Sequence, residues 1–365
     1  MKTLLIAHNF IKKSVSSMSF FLAHDFAEKG NRVIFISHKP YFEKKQVIKV
    51  GKGEIIVLSW SSEKRPVSFK DFLWFLNIYF EYKPNIIIGH FVGSNISSIV
   101  GKILSFGKAK TVVYYHTLTS AIQIDSNKSK LLQSILRYRK RFFYYFFCDV
   151  IVCPSQMGKN DLKKNFSVTG SVVLNPMEDR FTEKTILPNV EEIVISYLGR
   201  LDYTKGVIDM IDAFRLYQEK IPNSKIILNI AGNGVLESQV VDKISNLNKI
   251  KYIGGLTYDK VDAYLNASHF TIIPSKFDNL PTVGIESLMN KTPLLISNTT
   301  GLTAYLTDEE ECFKFDATQD GIFDVFCKVE NSMKNHSKMQ ERAREKFLMK
   351  FTNQIYFDSI SKIIS

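Results

Sequence analysis

Two carboxylates and two cations on turn-rich segments are the side chains of this 365-residue chain whose types and spacing point most directly to chemistry. Asp278 and Glu286 stand eight positions apart in Pro274-Ser275-Lys276-Phe277-Asp278-Asn279-Leu280-Pro281-Thr282-Val283-Gly284-Ile285-Glu286. Arg200 and Lys205 belong to Gly199-Arg200-Leu201-Asp202-Tyr203-Thr204-Lys205-Gly206. Arg presents a planar fork to phosphate oxygens and Lys a mobile point charge. Carboxylates accept hydrogen bonds from hydroxyls. The four together describe a site for a sugar carried on a diphosphate. Plainer readings stay open: Arg200 and Lys205 as solvated surface cations, Asp278 as a loop cap, Glu286 as a carboxylate favoured by the first turn of a helix.

The flanking elements set where these groups stand. Val194-Ile195-Ser196-Tyr197-Leu198 is apolar enough for a buried parallel strand. Gly199 lets the chain turn, and Val207, Met210, Ile211 and Phe214 resume at helical spacing. His269 to Ile273 is a second short strand, and Ile285, Leu288 and Met289 begin a second helix. Thr282 to Gly284 then fall at a helix N-terminus, where backbone N–H groups favour an anion. Strand C-termini are where open α/β sheets bind ligands. By the same logic Thr111-Val112-Val113-Tyr114-Tyr115-His116 delivers His116 to a strand mouth, and His8 and His90 end strands too. A strand-end histidine is also a common structural residue.

Strand and helix alternate throughout. The pattern predicts strands at Thr3–Ala7, Arg32–Ser37, Ile55–Ser59, Asn85–Gly89, Lys110–Tyr115 and Asp149–Cys153. It predicts a second set at Ile193–Leu198, Lys225–Ala231, Ile250–Ile253, Phe270–Pro274 and Pro293–Ser297. Repeated βαβ units mean doubly wound parallel sheets, and the length suits two such domains. A polar stretch bracketed by Pro176 and Pro188 marks the hinge.

The paired segments resemble the signature of the family-4 retaining glycosyltransferases of the GT-B fold (glycosyl transferases group 1): a carboxylate, seven residues, then Glu. Asp278 and Glu286 fill those positions, with Lys291 where the family usually has Gly before Thr292-Pro293. Val172 to Phe181 resembles the family's interdomain segment, with Pro176 for Gly. Ala231-Gly232-Asn233-Gly234 resembles its G-x-G turn and Lys251 to Gly255 a further strand end. The resemblance implies two Rossmann-like domains facing a central cleft. Residues 1–178 would be the acceptor side, 179–346 the nucleotide-sugar side, and 347–365 a helix returning to the first domain.

It further implies transfer of a sugar from a nucleoside-diphosphate sugar, with a UDP-sugar the leading choice. Arg200 and Lys205 would neutralise the diphosphate, and Asp278 would hold sugar hydroxyls. His116 would lie beside the donor sugar, and Glu286 would take the ribose. Ile253, Asn279, Leu280, Pro281, Thr282 and Val283 would line the donor. No Asp-x-Asp metal motif accompanies these residues, and no metal or other cofactor is expected. The chain departs from the family after the first strand: Ser14, Ser16 and Ser17 stand where a Gly-Gly turn is common, beside Lys12 and Lys13. A catalytically silent sugar-binding or partner protein of this fold, and transfer to a soluble or protein acceptor, are the alternatives.

Charge adds a partner. The formal net charge is +12, and residues 1–170 carry 26 Lys and Arg against 10 Asp and Glu, so the excess belongs wholly to the first half. Such asymmetry signals a polyanion. Lys128 to Phe147 joins a cationic cluster to an aromatic run, and Phe69 to Tyr82 adds more aromatics. Both suit an anionic membrane surface and a lipid-linked saccharide acceptor in polysaccharide assembly, although long core helices with a wet basic face would read alike. No nucleic-acid motif accompanies the charge. The four cysteines lack metal-ligand spacing and read as reduced thiols. With no apolar run of transmembrane length and no leader-like segment, the expected location is cytoplasmic, peripheral on the inner membrane face.

Overall fold

The computed structural model describes residues 2–12, 17–38, 45–60, 68–119, 129–183 and 191–365. Lys13, Ser14, Ser16, Lys128 and Pro188 lie outside them. The chain divides into two compact units: Met1–Pro176 with Asn353–Ser365, and Met177–Thr352. The return to the first unit starts at Asn353, not at residue 347. Phe347 and Phe351 are fully buried, and the Met177 N–H donates to the Phe351 carbonyl (2.7 Å), which keeps this stretch in the second unit.

In the first unit the described residues form a sheet of β1 (Thr3–His8), β2 (Arg32–Ser37), β3 (Gln46–Val50), β4 (Gly53–Ser59), β5 (Ile86–His90), β6 (Lys110–Tyr114), β7 (Val150–Cys153) and β8 (Ser171–Val172). Its order is β3-β4-β2-β1-β5-β6-β7-β8, parallel except where β3 pairs antiparallel with β4. The strands read as unbroken apolar runs because helices cover both faces. Leu4 and Ile6 point to the layer holding the helices Ser17–Glu28 and Asn353–Ile364; Leu5 and Ala7 point to the layer of Phe69–Tyr82 and Asn95–Leu104. The last helix is anchored by buried Tyr356, Ile360 and Ile364, with the Tyr114 and Tyr356 hydroxyls hydrogen-bonded. The Phe69–Tyr82 helix starts at a capping box: the Asp71 N–H donates to Ser68 Oγ, and the Ser68 N–H donates to the Asp71 carboxylate.

In the second unit the described strands are β9 (Ile193–Leu198), β10 (Ile226–Ala231), β11 (Ile250–Gly254), β12 (Phe270–Ile273), β13 (Leu294–Ser297) and β14 (Cys312–Phe315), in the order β11-β10-β9-β12-β13-β14. Counted from its own first strand, that is the 3-2-1-4-5-6 order of doubly wound nucleotide-binding sheets. Ile195, Tyr197, Met210, Phe214, Tyr217 and Phe326 lie in its buried core. In each unit the winding reverses between the first strand and a later one, β1 against β5 and β9 against β12.

Candidate functional site

The reversal at β9 and β12 gathers the residues read as a diphosphate and sugar site. The β9 loop turns through a 3-10 turn, Tyr203–Lys205, capped by Asp202, whose Oδ1 accepts from the Thr204 and Lys205 N–H groups at 3.0 and 3.1 Å. Gly206 follows at φ +70°, and a Cβ there would run into the Pro274 carbonyl oxygen. Glycine at this position therefore lets the β9 and β12 loops touch backbone to backbone, and the Lys276 N–H seals them by donating to the Thr204 carbonyl (2.8 Å).

Lys205 Nζ forms an ion pair with Asp278 Oδ2, so a cation of the first loop meets a carboxylate of the second. The Asp278 backbone is pinned in turn: its carbonyl accepts from the Gly301 N–H (2.9 Å). Arg200 is 70% exposed at its side chain and approaches Asp202 Oδ2 at 3.2 Å. Asn279, Leu280 and Pro281 are buried, Pro281 caps the helix Thr282–Met289, and Thr282 and Val283 are half-buried in its first turn. Ile253 is exposed on β11, two strands from β9.

Glu286 differs from expectation. The helix begins at Thr282, so Glu286 is its fifth residue and the first turn holds no acid; a favourable first-turn dipole does not explain it. The residue is buried, and burial pushes its carboxyl up to about 7, opposed by the Arg180 guanidinium and reinforced by the Asp262 carboxylate. Arg180 Nη2 stands 3.9 Å from Glu286 Oε1 while its Nε donates to Asp262 Oδ2 at 2.8 Å. The Tyr258 ring lies 4.8 Å beneath the guanidinium, and Asn290 Nδ2 donates to Asp262 Oδ1 at 3.0 Å. Arg180 and Asp262 were missed as partners because only the fold brings positions so distant in sequence together.

The first unit's reversal is lined differently. His8 ends β1, His90 ends β5, and His116 lies just past β6. His8 Nδ1 is 2.7 Å from Ser19 Oγ, Ser19 Oγ is 3.0 Å from His90 Nε2, and His90 Nδ1 is 3.1 Å from His116 Nε2. Phe91, at φ +63°, stacks on His116 with ring centroids 4.5 Å apart. A bulky residue in that backbone region is strained. Burial lowers His116 to about 4 and holds His8 and His90 well below the usual histidine range, so all three are neutral at pH 7. The strand-end histidines were visible in the sequence; Ser19, on a helix, carried no signal.

Among the described residues no group of three or more His, Cys, Asp or Glu is placed to hold a metal ion. The cysteines are free, with Cys153 and Cys312 buried. No described helix is long and apolar enough to cross a membrane. The helix Lys130–Phe147 nonetheless exposes Leu131, Ile135, Tyr138, Phe142 and Tyr145 and, among its described side chains, buries only Phe143. Its opposite side packs onto the unit through buried Phe143 and through Tyr144, which meets Phe166.

Comparison with known proteins agrees with this fold. An uncharacterized glycosyltransferase of Methanocaldococcus jannaschii is 26% identical over 271 residues, 67% of this chain and 65% of that protein. Among solved structures, sucrose-phosphate synthase from Thermosynechococcus elongatus superposes with a TM-score of 0.75 at 15% identity, covering 100% of this chain and 98% of the other. Anabaena HepE in complex with UDP superposes at 0.72 with 13% identity, covering 100% and 99%. Both share the fold. Residues 17–178 match the model of Glycosyltransferase Family 4 and residues 178–346 that of Glycosyl transferases group 1. Two matches that meet at residue 178, on a pair of doubly wound sheets, establish that the chain belongs to the family-4, group 1 glycosyltransferases of the GT-B fold.

Proposed function

We propose that the protein is a retaining, metal-independent glycosyltransferase that moves a sugar from a nucleoside-diphosphate sugar to an acceptor hydroxyl. One observation carries the reading: Lys205 and Asp278 meet at the mouth of the β9–β12 reversal, where doubly wound sheets take nucleotides. Lys205, joined by Arg200, neutralises the charge that grows on the departing diphosphate, the main electrostatic demand of the reaction. Asp278 accepts from the sugar hydroxyls, and Glu286 accepts from the ribose once its carboxyl is ionised. The acceptor attacks from the face the diphosphate leaves, and the phosphate takes the acceptor proton. HepE, solved with UDP, supports a uridine nucleotide as the first donor to try. The test is a transfer and hydrolysis panel of UDP- and GDP-sugars with and without EDTA. Turnover that survives EDTA is expected; turnover abolished by EDTA and restored by Mn²⁺ overturns the metal-free part. Binding without any turnover would favour a silent sugar-binding protein.

The acceptor in this reading is a lipid-linked saccharide at an anionic membrane surface. Support comes from the seam Leu131, Ile135, Tyr138, Phe142 and Tyr145, spaced four and three residues apart along one exposed helix face. It runs for about 21 Å at 1.5 Å per residue. Arg137, Arg139 and Arg141 are exposed on the same helix. An apolar stripe flanked by cations is the pattern of a helix lying in a membrane interface. Sedimentation with anionic vesicles, weakening at high salt, is the expected result; absence from the vesicle pellet at low salt contradicts it.

A further inference from the structure

The hydrogen bonds joining His8, Ser19, His90 and His116 have a property no single one of them has. A neutral imidazole carries one N–H, and a serine hydroxyl donates once. If Ser19 donates to His90 Nε2, then His8 Nδ1–H must donate to Ser19. His90 then carries its proton on Nδ1 and donates to His116 Nε2, which leaves the His116 proton on Nδ1. If Ser19 donates to His8, every bond reverses and the His116 proton sits on Nε2. The three bonds, at 2.7, 3.0 and 3.1 Å, therefore share one sense. Ser19 is the only member that is not an imidazole, and it lies fully buried on the helix Ser17–Glu28. Low-dielectric burial strengthens such a chain and raises the cost of leaving any link unmade.

We propose that Ser19 is a positioning residue for sugar transfer: its single hydroxyl proton ties the proton of His116, through His90, to that of His8 and keeps the rings in register. The ring stack agrees. His8 lies 4.4 Å from His90 at 12° and His90 lies 5.3 Å from His116 at 23°, so the rings are nearly parallel and a turn of one disturbs the next. His8 and His90 ionise well below neutrality because they are buried, as His116 does, so the one-proton bookkeeping holds at pH 7. The inference rests on the glycosyltransferase reading for its kinetic consequence but not for its spectroscopic one.

The test is therefore double. Imidazole ¹⁵N shifts of histidine-labelled full-length protein report tautomers directly, with His116 assigned by its loss in His116→Gln. Wild type is expected to show His8 and His116 in the tautomers of one shared sense and Ser19→Ala a mixture at His116 that no longer follows His8, with Ser19→Cys, a weaker donor of similar size, between them. In the transfer assay Ser19→Ala is expected to lose roughly 10–100-fold in kcat, with nucleotide affinity unchanged. A His116 tautomer that stays single and unaltered in Ser19→Ala overturns the proposal, whatever the activity. An altered tautomer with unaltered kcat overturns its role in transfer. If the wild type transfers no sugar, the sugar-transfer reading fails, while the shifts still decide whether Ser19 sets the tautomer. A melting curve of Ser19→Ala matching wild type shows that either loss is not unfolding.

Discussion

In both units a first strand pairs with a strand from much later in its sheet, β1 with β5 and β9 with β12, and the winding reverses there. The side chains at the two reversals are opposites. At β9 and β12 they are ionic and partly open: Lys205 with Asp278, and Arg200 with Asp202. At β1 and β5 they are neutral: stacked imidazoles linked through one serine hydroxyl, with His8 and His90 buried and His116 half-buried. Equal topology thus supplies two reversals, and the chemistry of each is decided by a handful of side chains. The ionic one suits a diphosphate. The neutral one suits an uncharged hydroxyl, because an imidazole kept from protonating still donates through one nitrogen and accepts through the other.

Breaking the ionic reversal has the largest expected effect. Lys205→Ala removes a cation aimed at developing phosphate charge and should lower kcat by about 10²–10³-fold, the usual order for one well-placed electrostatic donor. Arg200→Ala should fall at the low end of that range, since its side chain is the more solvated. Near-wild-type turnover in either variant removes that residue from the diphosphate clamp.

Glu286 sharpens the contrast by titration. Its carboxyl is raised from 4.5 to about 7. The folded state then binds its proton more tightly than the unfolded chain does. The stability this contributes is fully present below about pH 4.5 and is lost as pH rises through about 7. The difference is on the order of 3 kcal/mol at about 1.36 kcal/mol per pH unit. Melting curves from pH 4 to 8 should show wild type losing stability relative to Glu286→Gln as pH rises. Parallel curves would mean that Glu286 titrates in the folded protein as it does in the unfolded chain. Nucleotide affinity should move the other way, rising through about pH 7 as the ribose finds a carboxylate to accept its hydroxyls.

The first unit has a second face to test. Replacing Ile135, Tyr138 and Phe142 with Ser should weaken binding to anionic vesicles at least tenfold, given about 1.5–3 kcal/mol for each large apolar side chain removed from water. Replacing Arg137, Arg139 and Arg141 should weaken it in a salt-dependent way and leave donor affinity unchanged. Vesicle binding untouched in both variants would assign this helix elsewhere. The smallest effect belongs to the tail helix. Tyr114→Phe leaves the buried Tyr356 hydroxyl without that partner and should cost about 1 kcal/mol in denaturant melts. No measurable change would mean the anchor is wholly apolar.

Much of this was legible in the chain. Unbroken apolar runs such as Leu4-Leu5-Ile6-Ala7 and Val194 to Leu198 identify strands covered on both faces, and the observed bounds fall within two residues of those expected. β3 was not legible: Gln46-Val47-Ile48-Lys49-Val50 is a solvent-side edge strand whose pairing with β4 comes from a tight turn at Gly51 and Lys52. β14 was missed because Cys312 to Phe315 is only four residues long. At the site, glycines and loop polarity identified the two segments. That Lys205 reaches Asp278, or that Arg180 joins Asp262 beside Glu286, depends on tertiary placement that no local spacing encodes. Glu286 was placed one turn too early because the helix begins immediately after Pro281.

The most direct test of the division between the two reversals is calorimetric titration of UDP and GDP into wild type, Lys205→Ala and Ser19→Ala. The diphosphate is common to both nucleotides, so the outcome does not depend on which base the protein prefers. The account predicts that Lys205→Ala weakens the bound nucleotide at least tenfold and that Ser19→Ala binds it as wild type does, since Lys205 is the cation proposed to meet the diphosphate and Ser19 carries no charge. Unchanged affinity in Lys205→Ala, or a comparable loss in Ser19→Ala, would contradict it.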